Sequence, residues 1–159
     1  MIARLILTLL SVVAVGAIFY NSSLDAFEST TQSDPLVDSI NAFFKSIGLP
    51  IVVDDFIVRK AAHFSEYAVL GALLSVTVYL YAQKRWKSFF ITLPIGAAVA
   101  VCDEVIQLFP VGRSCEVRDM LIDFSGVLTA ALIVQLILYL IERHRKRLPL
   151  GKGAGGNAD

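Results

Sequence analysis

Apolar residues in this chain gather into long blocks rather than into stripes. Four blocks, over about 2–20, 63–82, 89–109 and 120–141, reach the roughly 20 residues that a helix rising about 1.5 Å per residue needs to cross a hydrocarbon core of about 30 Å. The pattern therefore predicts an all-α membrane protein with four transmembrane helices. A cleaved secretory signal is the competing reading of the first block, which opens with Arg4 and carries the small residues Ala14, Gly16 and Ala17. Its apolar run is long for a signal core and Val15-Gly16-Ala17 is a weak processing site, so we expect it to be retained. Between the first two blocks, Leu36, Ile40, Phe43, Phe44 and Ile47 recur at helical spacing. Asp34 before Pro35 reads as a start and Gly48-Leu49-Pro50 as a stop, predicting a short amphipathic helix over 35–48. It is expected either to lie on the outer membrane surface or to pack over the bundle.

Composition sharpens the class. Of 159 residues, 56% are hydrophobic and 18% charged, and the mean hydropathy is +0.69, which excludes a disordered segment or a nucleic-acid binder and argues against a water-soluble globule. Fourteen basic residues balance fourteen acidic ones, so the position of each charge matters more than the sum. Lys84, Arg85 and Lys87 lie between the second and third blocks, and Arg143, Arg145, Lys146 and Arg147 follow the fourth. Basic residues beside span ends favour the cytoplasm. Both termini are then expected on the cytoplasmic side of the membrane, with the segments 21–62 and 110–119 outside. The expected division is a membrane domain over 1–145 and a disordered tail over 146–159, ending in the low-complexity GKGAGGNAD. Cys102 and Cys115 are too few for a disulfide scaffold and lack zinc-site spacing. Cys102 is expected to be buried and inert, and whether the two pair is left open.

Ionisable groups cost roughly 2.5 to 3.5 kcal/mol each at the middle of a lipid-facing helix, so those inside the blocks demand an account. His63 and Glu66 open the second block, Asp103, Glu104 and Gln107 close the third, and Asp119 and Asp123 open the fourth. In the four-span topology all of them fall at one level, near the outer surface. His63, Glu66 and Tyr67 share a helical stripe, Asp103 and Gln107 are four residues apart, and so are Asp119 and Asp123. Arg59, Lys60, Arg113 and Arg118 add cations from the adjoining segments. Small residues around Gly71, Gly96 and Gly126 would let helix backbones approach closely there, and Pro94 is expected to kink the third span.

Three strings carry a resemblance: Arg59-Lys60-Ala61-Ala62-His63-Phe64-Ser65-Glu66-Tyr67-Ala68-Val69-Leu70-Gly71, then Asp103-Glu104-Val105-Ile106-Gln107-Leu108-Phe109 followed by Arg113, and Asp119-Met120-Leu121-Ile122-Asp123-Phe124-Ser125-Gly126. With their K-x-x-H-x-x-E-Y, D-E-x-x-Q, R and D-x-x-x-D-x-x-G spacings, they resemble the VanZ-like family of bacterial membrane proteins over roughly residues 5 to 140. The resemblance implies a cell-envelope membrane protein, and the family's founding member lowers susceptibility to the glycopeptide teicoplanin. It implies no settled biochemical activity.

Three readings of the polar set follow. In the first, Lys60, His63, Glu66, Tyr67, Asp103, Glu104, Gln107, Arg113, Asp119 and Asp123 line an outward-facing pocket for a lipid head group, a cell-wall precursor or the glycopeptide itself, with arginine and lysine engaging phosphate. In the second, the same acids and His63 form a metal-assisted hydrolase or transferase acting on lipid-linked phosphate. In the third they are structural ion pairs, for example Lys60 or Arg118 with Asp103. No cofactor is demanded, no metal motif is present, and Tyr67, Tyr20 and Trp86 read first as interfacial aromatics. Membrane lipids are the expected partners; the oligomeric state is open.

Overall fold

The computed structural model describes residues 1–147, which fold into five α-helices with no strand among them. These are α1 (Ile2–Ser23), α2 (Ala26–Ser46), α3 (Asp55–Ala82), α4 (Arg85–Ile106) and α5 (Val117–Arg147). Four of them, α1, α3, α4 and α5, are long and apolar enough to cross a membrane. The tail expected from 146 lies outside the described residues from 148 onward, and α5 itself continues through Lys146 and Arg147.

The distribution of side chains is inverted relative to a water-soluble bundle. Leu5, Leu9, Val12, Phe90, Leu132 and Leu136 stand exposed on the outside, while Ser22, Ser75, Ser88, Thr92, Asp103, Glu104 and Asp123 are almost completely enclosed. Lipid solvates an exposed leucine as well as a protein core does, so inter-helix attraction comes from close packing and internal hydrogen bonds. Both are present. Ser88 Oγ donates to the Ser75 carbonyl across α3 and α4 at 2.5 Å, and Gln135 Nε2 donates from α5 to the Arg85 carbonyl at 3.0 Å. Thr8 meets Tyr81 and Ser11 meets Thr77, each at 3.4 Å, stitching α1 to α3.

α3 is the central element, packing against α5, α4, α1 and α2. Its contact with α5 is close because two glycines face it. A Cβ on Gly71 would come within 2.8 Å of the Val127 Cα, and one on Gly126 would collide with the Phe64 carbonyl and approach the Ala68 nitrogen at 3.1 Å. On the other side, a Cβ on Gly96 of α4 would meet Val127 Cγ1 at 2.5 Å. Val127, fully buried, is thus clasped by glycines from two helices.

Helix starts differ from the apolar blocks for a local reason. α3 begins eight residues before its block because Asp54 caps it, accepting the Ile57 amide at 2.9 Å, with Asp55 favourably placed in the first turn. α2 begins at Ala26 rather than Pro35, which corrects the shorter expected helix. Asp25 accepts the Glu28 amide at 2.8 Å, and Asp-x-x-Glu is a capping-box spacing. The helix runs through Pro35, with Ser33 and Thr30 bonded to Asp55 of α3 and Asn41 pairing both ways with the Val53 backbone at 2.8 Å. Its end is as expected. The Gly48 amide returns to Lys45 O and the Leu49 amide to Phe44 O, with Gly48 at φ +74°, a Schellman stop. α4 ends at Ile106, so Leu108 and Phe109 lie in the connecting segment.

Replacing Gly126 or Gly71 by Ala is expected to lower the unfolding free energy in detergent micelles by about 1–3 kcal/mol through overpacking. Gly16→Ala, where a Cβ meets nothing within 4 Å, should leave the unfolding midpoint unchanged.

Candidate functional site

The end of the bundle where α1 and α4 finish and α3 and α5 begin gathers the polar residues. From α3, His63 turns toward α4 and α5, its Nδ1 lying 3.5 Å from Asp123 Oδ1 and 4.0 Å from Asp103 Oδ2. Asp103 and Asp123 are 0% and 1% exposed. Oδ1 of Asp103 and both oxygens of Asp123 lack a hydrogen-bond partner among the described residues. The remaining Asp103 oxygen accepts from Gln107 Nε2 at 3.4 Å, and the same amide reaches Ser22 Oγ of α1 at 3.4 Å. Each uncompensated buried oxygen carries a desolvation cost, roughly 1–3 kcal/mol and more for a charged group.

The other expected site residues separate into distinct roles. Glu66, one turn beyond His63, accepts instead from Asn21 Nδ2 of α1 at 2.7 Å. Tyr67 is fully buried, not interfacial, and its hydroxyl lies beside Asp103 without a hydrogen-bond partner. Glu104 faces away from the histidine and accepts the Glu116 amide at 2.8 Å, tying down the segment between α4 and α5. Lys60 bridges to Asp119, not to Asp103, and Arg118 stacks over the Phe56 ring at 5.0 Å, also away from Asp103. Arg59 pairs with Asp55 at 3.1 Å. Arg113 reaches the Asn21 carbonyl at 3.4 Å, and its buried Nε has no partner among the described residues. Burial, reinforced by the Arg59 charge, pushes the Arg113 guanidinium below the usual arginine range. Tyr20 and Trp86 are exposed, as interfacial aromatics would be. Cys102 is exposed on α4 rather than buried, and it and Cys115 are both free thiols.

Asn21 and Ser22 are the contributors that sequence reasoning missed. The polar run Asn21-Ser22-Ser23 closing the first span marked them, since it falls at the same level as the other groups.

Two cavities flank His63. One, of about 190 Å³, lies against α2 and is lined by Asn21, Ser33, Arg59, Glu66 and Arg113. The other, of about 200 Å³, is lined by Lys60, Gln107, Arg113, Glu116 and Asp119. Arg59, His63 and Arg113 border both. An apolar groove of about 300 Å³ runs between α1 and α3 along Ala14, Ala17, Ile18 and Val69, and it meets the first cavity at Glu66. A charged recess thus adjoins a groove of the kind an acyl chain fills.

A family model described as VanZ/LLP1 matches residues 7–139, a span that holds every group of the cluster. The chain belongs to the VanZ/LLP1 family. No curated relative and no solved structure gives a significant match. The VanZ/LLP1 match covers α1 through most of α5, so the four membrane-spanning helices and the polar end together are the family unit.

The geometry separates a paired set from an unpaired one. Lys60→Met should cost about 1–3 kcal/mol of stability, because it leaves the largely enclosed Asp119 carboxylate alone. Asp123→Asn, which removes one of two buried like charges while His63 keeps Asp103, should hold or raise the thermal midpoint in chelator-treated micelles. A fall as large as that of Lys60→Met would make the histidine cluster a structural one.

Proposed function

We propose that this VanZ/LLP1-family membrane protein binds a phosphate-bearing lipid, or the lipid-linked phosphate of a cell-wall precursor, at the outer face of the bacterial cytoplasmic membrane. Altered glycopeptide susceptibility would then follow from the envelope component it holds. The observation that carries this reading is Glu66, which forms a wall common to the polar cavity and the apolar groove. One molecule with a charged head and a hydrocarbon tail fits both, and the cavity offers Arg59 and the unpartnered Nε of Arg113 as charge-assisted donors to phosphate. Asn21 engages Glu66, so the carboxylate at the junction is already bonded within the protein. The exposed Leu36 and Phe43 of α2, with Ile47 just past its end, share one helical face and give the roof of this cavity an apolar surface to rest on the outer leaflet.

The sidedness rests on Lys84 between α3 and α4, on Arg85 and Lys87 in the first turn of α4 and on the basic end of α5, at the end of the bundle opposite the site. An alkaline phosphatase fused after Arg147 is therefore expected to be inactive, and an active fusion would reverse the proposed face.

In native mass spectrometry from nanodiscs, the protein should retain phosphatidylglycerol over diacylglycerol of the same acyl chains, which lacks the phosphate. Arg113→Gln should weaken that retention by roughly tenfold or more, the equivalent of one charge-assisted hydrogen bond. The same variant, at equal abundance, should lose any teicoplanin tolerance that the parent confers on a susceptible Gram-positive host. Equal retention of both lipids by the parent would remove the head-group reading.

A further inference from the structure

The buried histidine and its two aspartates are arranged in a way that head-group binding does not use. Nδ1 of His63 stands 3.5 Å from Asp123 and 4.0 Å from Asp103, longer than a good hydrogen bond. One ligand atom from each of the three residues lies within 4.8 Å of the others. Two ligands of one tetrahedral ion at about 2.1 Å stand about 3.4 Å apart, so these separations need only a small contraction to share an ion. The ligating atoms come from three different helices, α3, α4 and α5, whose backbones are held in close contact by Gly71, Gly96 and Gly126. The set is therefore preformed rather than dependent on a mobile loop.

We propose that His63, Asp103 and Asp123 bind one divalent cation of the zinc or manganese class. Two carboxylates and a neutral imidazole neutralise a doubly charged ion, whereas a protonated His63 would leave one buried negative charge uncompensated. The surroundings are more demanding still: Asp55, Glu66, Asp103, Glu104, Glu116, Asp119 and Asp123 outnumber the fixed cations Arg59, Lys60, Arg113 and Arg118 at this end of the bundle. Among the described residues Asp123 has both carboxylate oxygens buried without a partner, whereas Asp103, Glu104 and Asp119 each lack one on a single oxygen and are engaged through the other, Glu104 by the Glu116 amide and Asp119 by Lys60; of these three only Asp103 lies against His63. Around the ligands, Gln107 holds Asp103 and is itself next to Ser22, and the Tyr67 hydroxyl lies beside Asp103. These are the outer contacts that orient metal ligands. One nitrogen and two oxygens suit a borderline ion, and three protein ligands leave a coordination position open. His63 borders both cavities together with Arg59 and Arg113, so a ligand that enters either one approaches the ion beside two guanidinium groups. The ion does not depend on the head-group reading; where that reading holds, a phosphate oxygen completes the coordination.

The test is calorimetric titration of Zn²⁺ and, separately, Mn²⁺ into the full chain, purified in detergent and stripped with chelator. The wild type should bind one ion per chain, with a matching change in the Mn²⁺ electron paramagnetic resonance spectrum that needs no variant. His63→Gln, Asp103→Asn and Asp123→Asn should each weaken binding by at least about tenfold, while Glu104→Gln, buried at the same level but turned toward Glu116, should not. No saturable binding to the wild type, or equal loss in Glu104→Gln, overturns the proposal. Phosphatidylglycerol retention measured on the chelated protein separates this result from the head-group reading. Retained lipid without metal binding sinks only the ion, and metal binding without lipid preference supports the ion and sinks only the head group.

Discussion

The approach of α5 to α3 governs everything at the polar end. Gly126 lies against the Phe64 carbonyl and Gly71 against the Val127 backbone, so nothing larger than hydrogen separates the two helices at these points. Asp123 is three residues from Gly126, and His63 is the neighbour of Phe64. The distance between imidazole and carboxylate is therefore fixed by the backbone contact and not by long, rotatable side chains. Gly96 brings α4 onto the same Val127, and Asp103 follows two turns later on that helix. In a lipid environment, where apolar surfaces gain little from leaving the solvent, this packing supplies the attraction that an aqueous core would draw from hydrophobic burial.

Such packing encloses the side chains of Asp103, Glu104 and Asp123, and enclosure sets their energetics. A charge there either finds a partner or remains costly, and the chain shows both outcomes. Lys60 with Asp119, Arg59 with Asp55 and Glu104 with the Glu116 amide are resolved by local pairing. Asp103, Glu104 and Asp119 each keep one buried oxygen without a partner, and Asp123 keeps both. Local pairing thus supports the structural reading for Lys60, Asp119, Arg59 and Glu104, and the binding reading stays a proposal for the residues it leaves open. Partners decide which is which, and Asp123, the carboxylate with neither oxygen bonded, stands where His63 of α3 and Asp103 of α4 meet α5.

Much of this was legible in the sequence, and the rest was hidden for definable reasons. Apolar block length located the four spanning helices, because a bilayer imposes a length that no soluble fold demands. The level of His63, Asp103 and Asp123 followed from topology, and the role of Gly71, Gly96 and Gly126 from their size. Helix starts were misjudged where the first turns are polar: Asp54 opens α3 and Asp25 opens α2 by capping, which an apolar count cannot register. Pro35 read as a boundary, yet the cap ten residues earlier and the contacts of Ser33 and Asn41 carry α2 through it. Pair identities were beyond reach, since Glu66 and His63 share a helical stripe while one faces α1 and the other faces α5. One turn of helix spans enough arc to send adjacent stripe members to different neighbours.

α1 closes the argument about how such a site stays polar inside a membrane. It contributes almost nothing apolar to the cluster; its part is the hydroxyl of Ser22, the amide of Asn21 and the carbonyl that meets Arg113. These are neutral groups placed against the acids and the cation at their margin, so they orient Glu66, Gln107 and Arg113 without adding charge. A charged residue in the same place would pair with Asp103 or Arg113 and quench the site. The polar end of the first span therefore works as a neutral frame, and what it frames is an acid pair and an imidazole whose own charges are left to be met by something else.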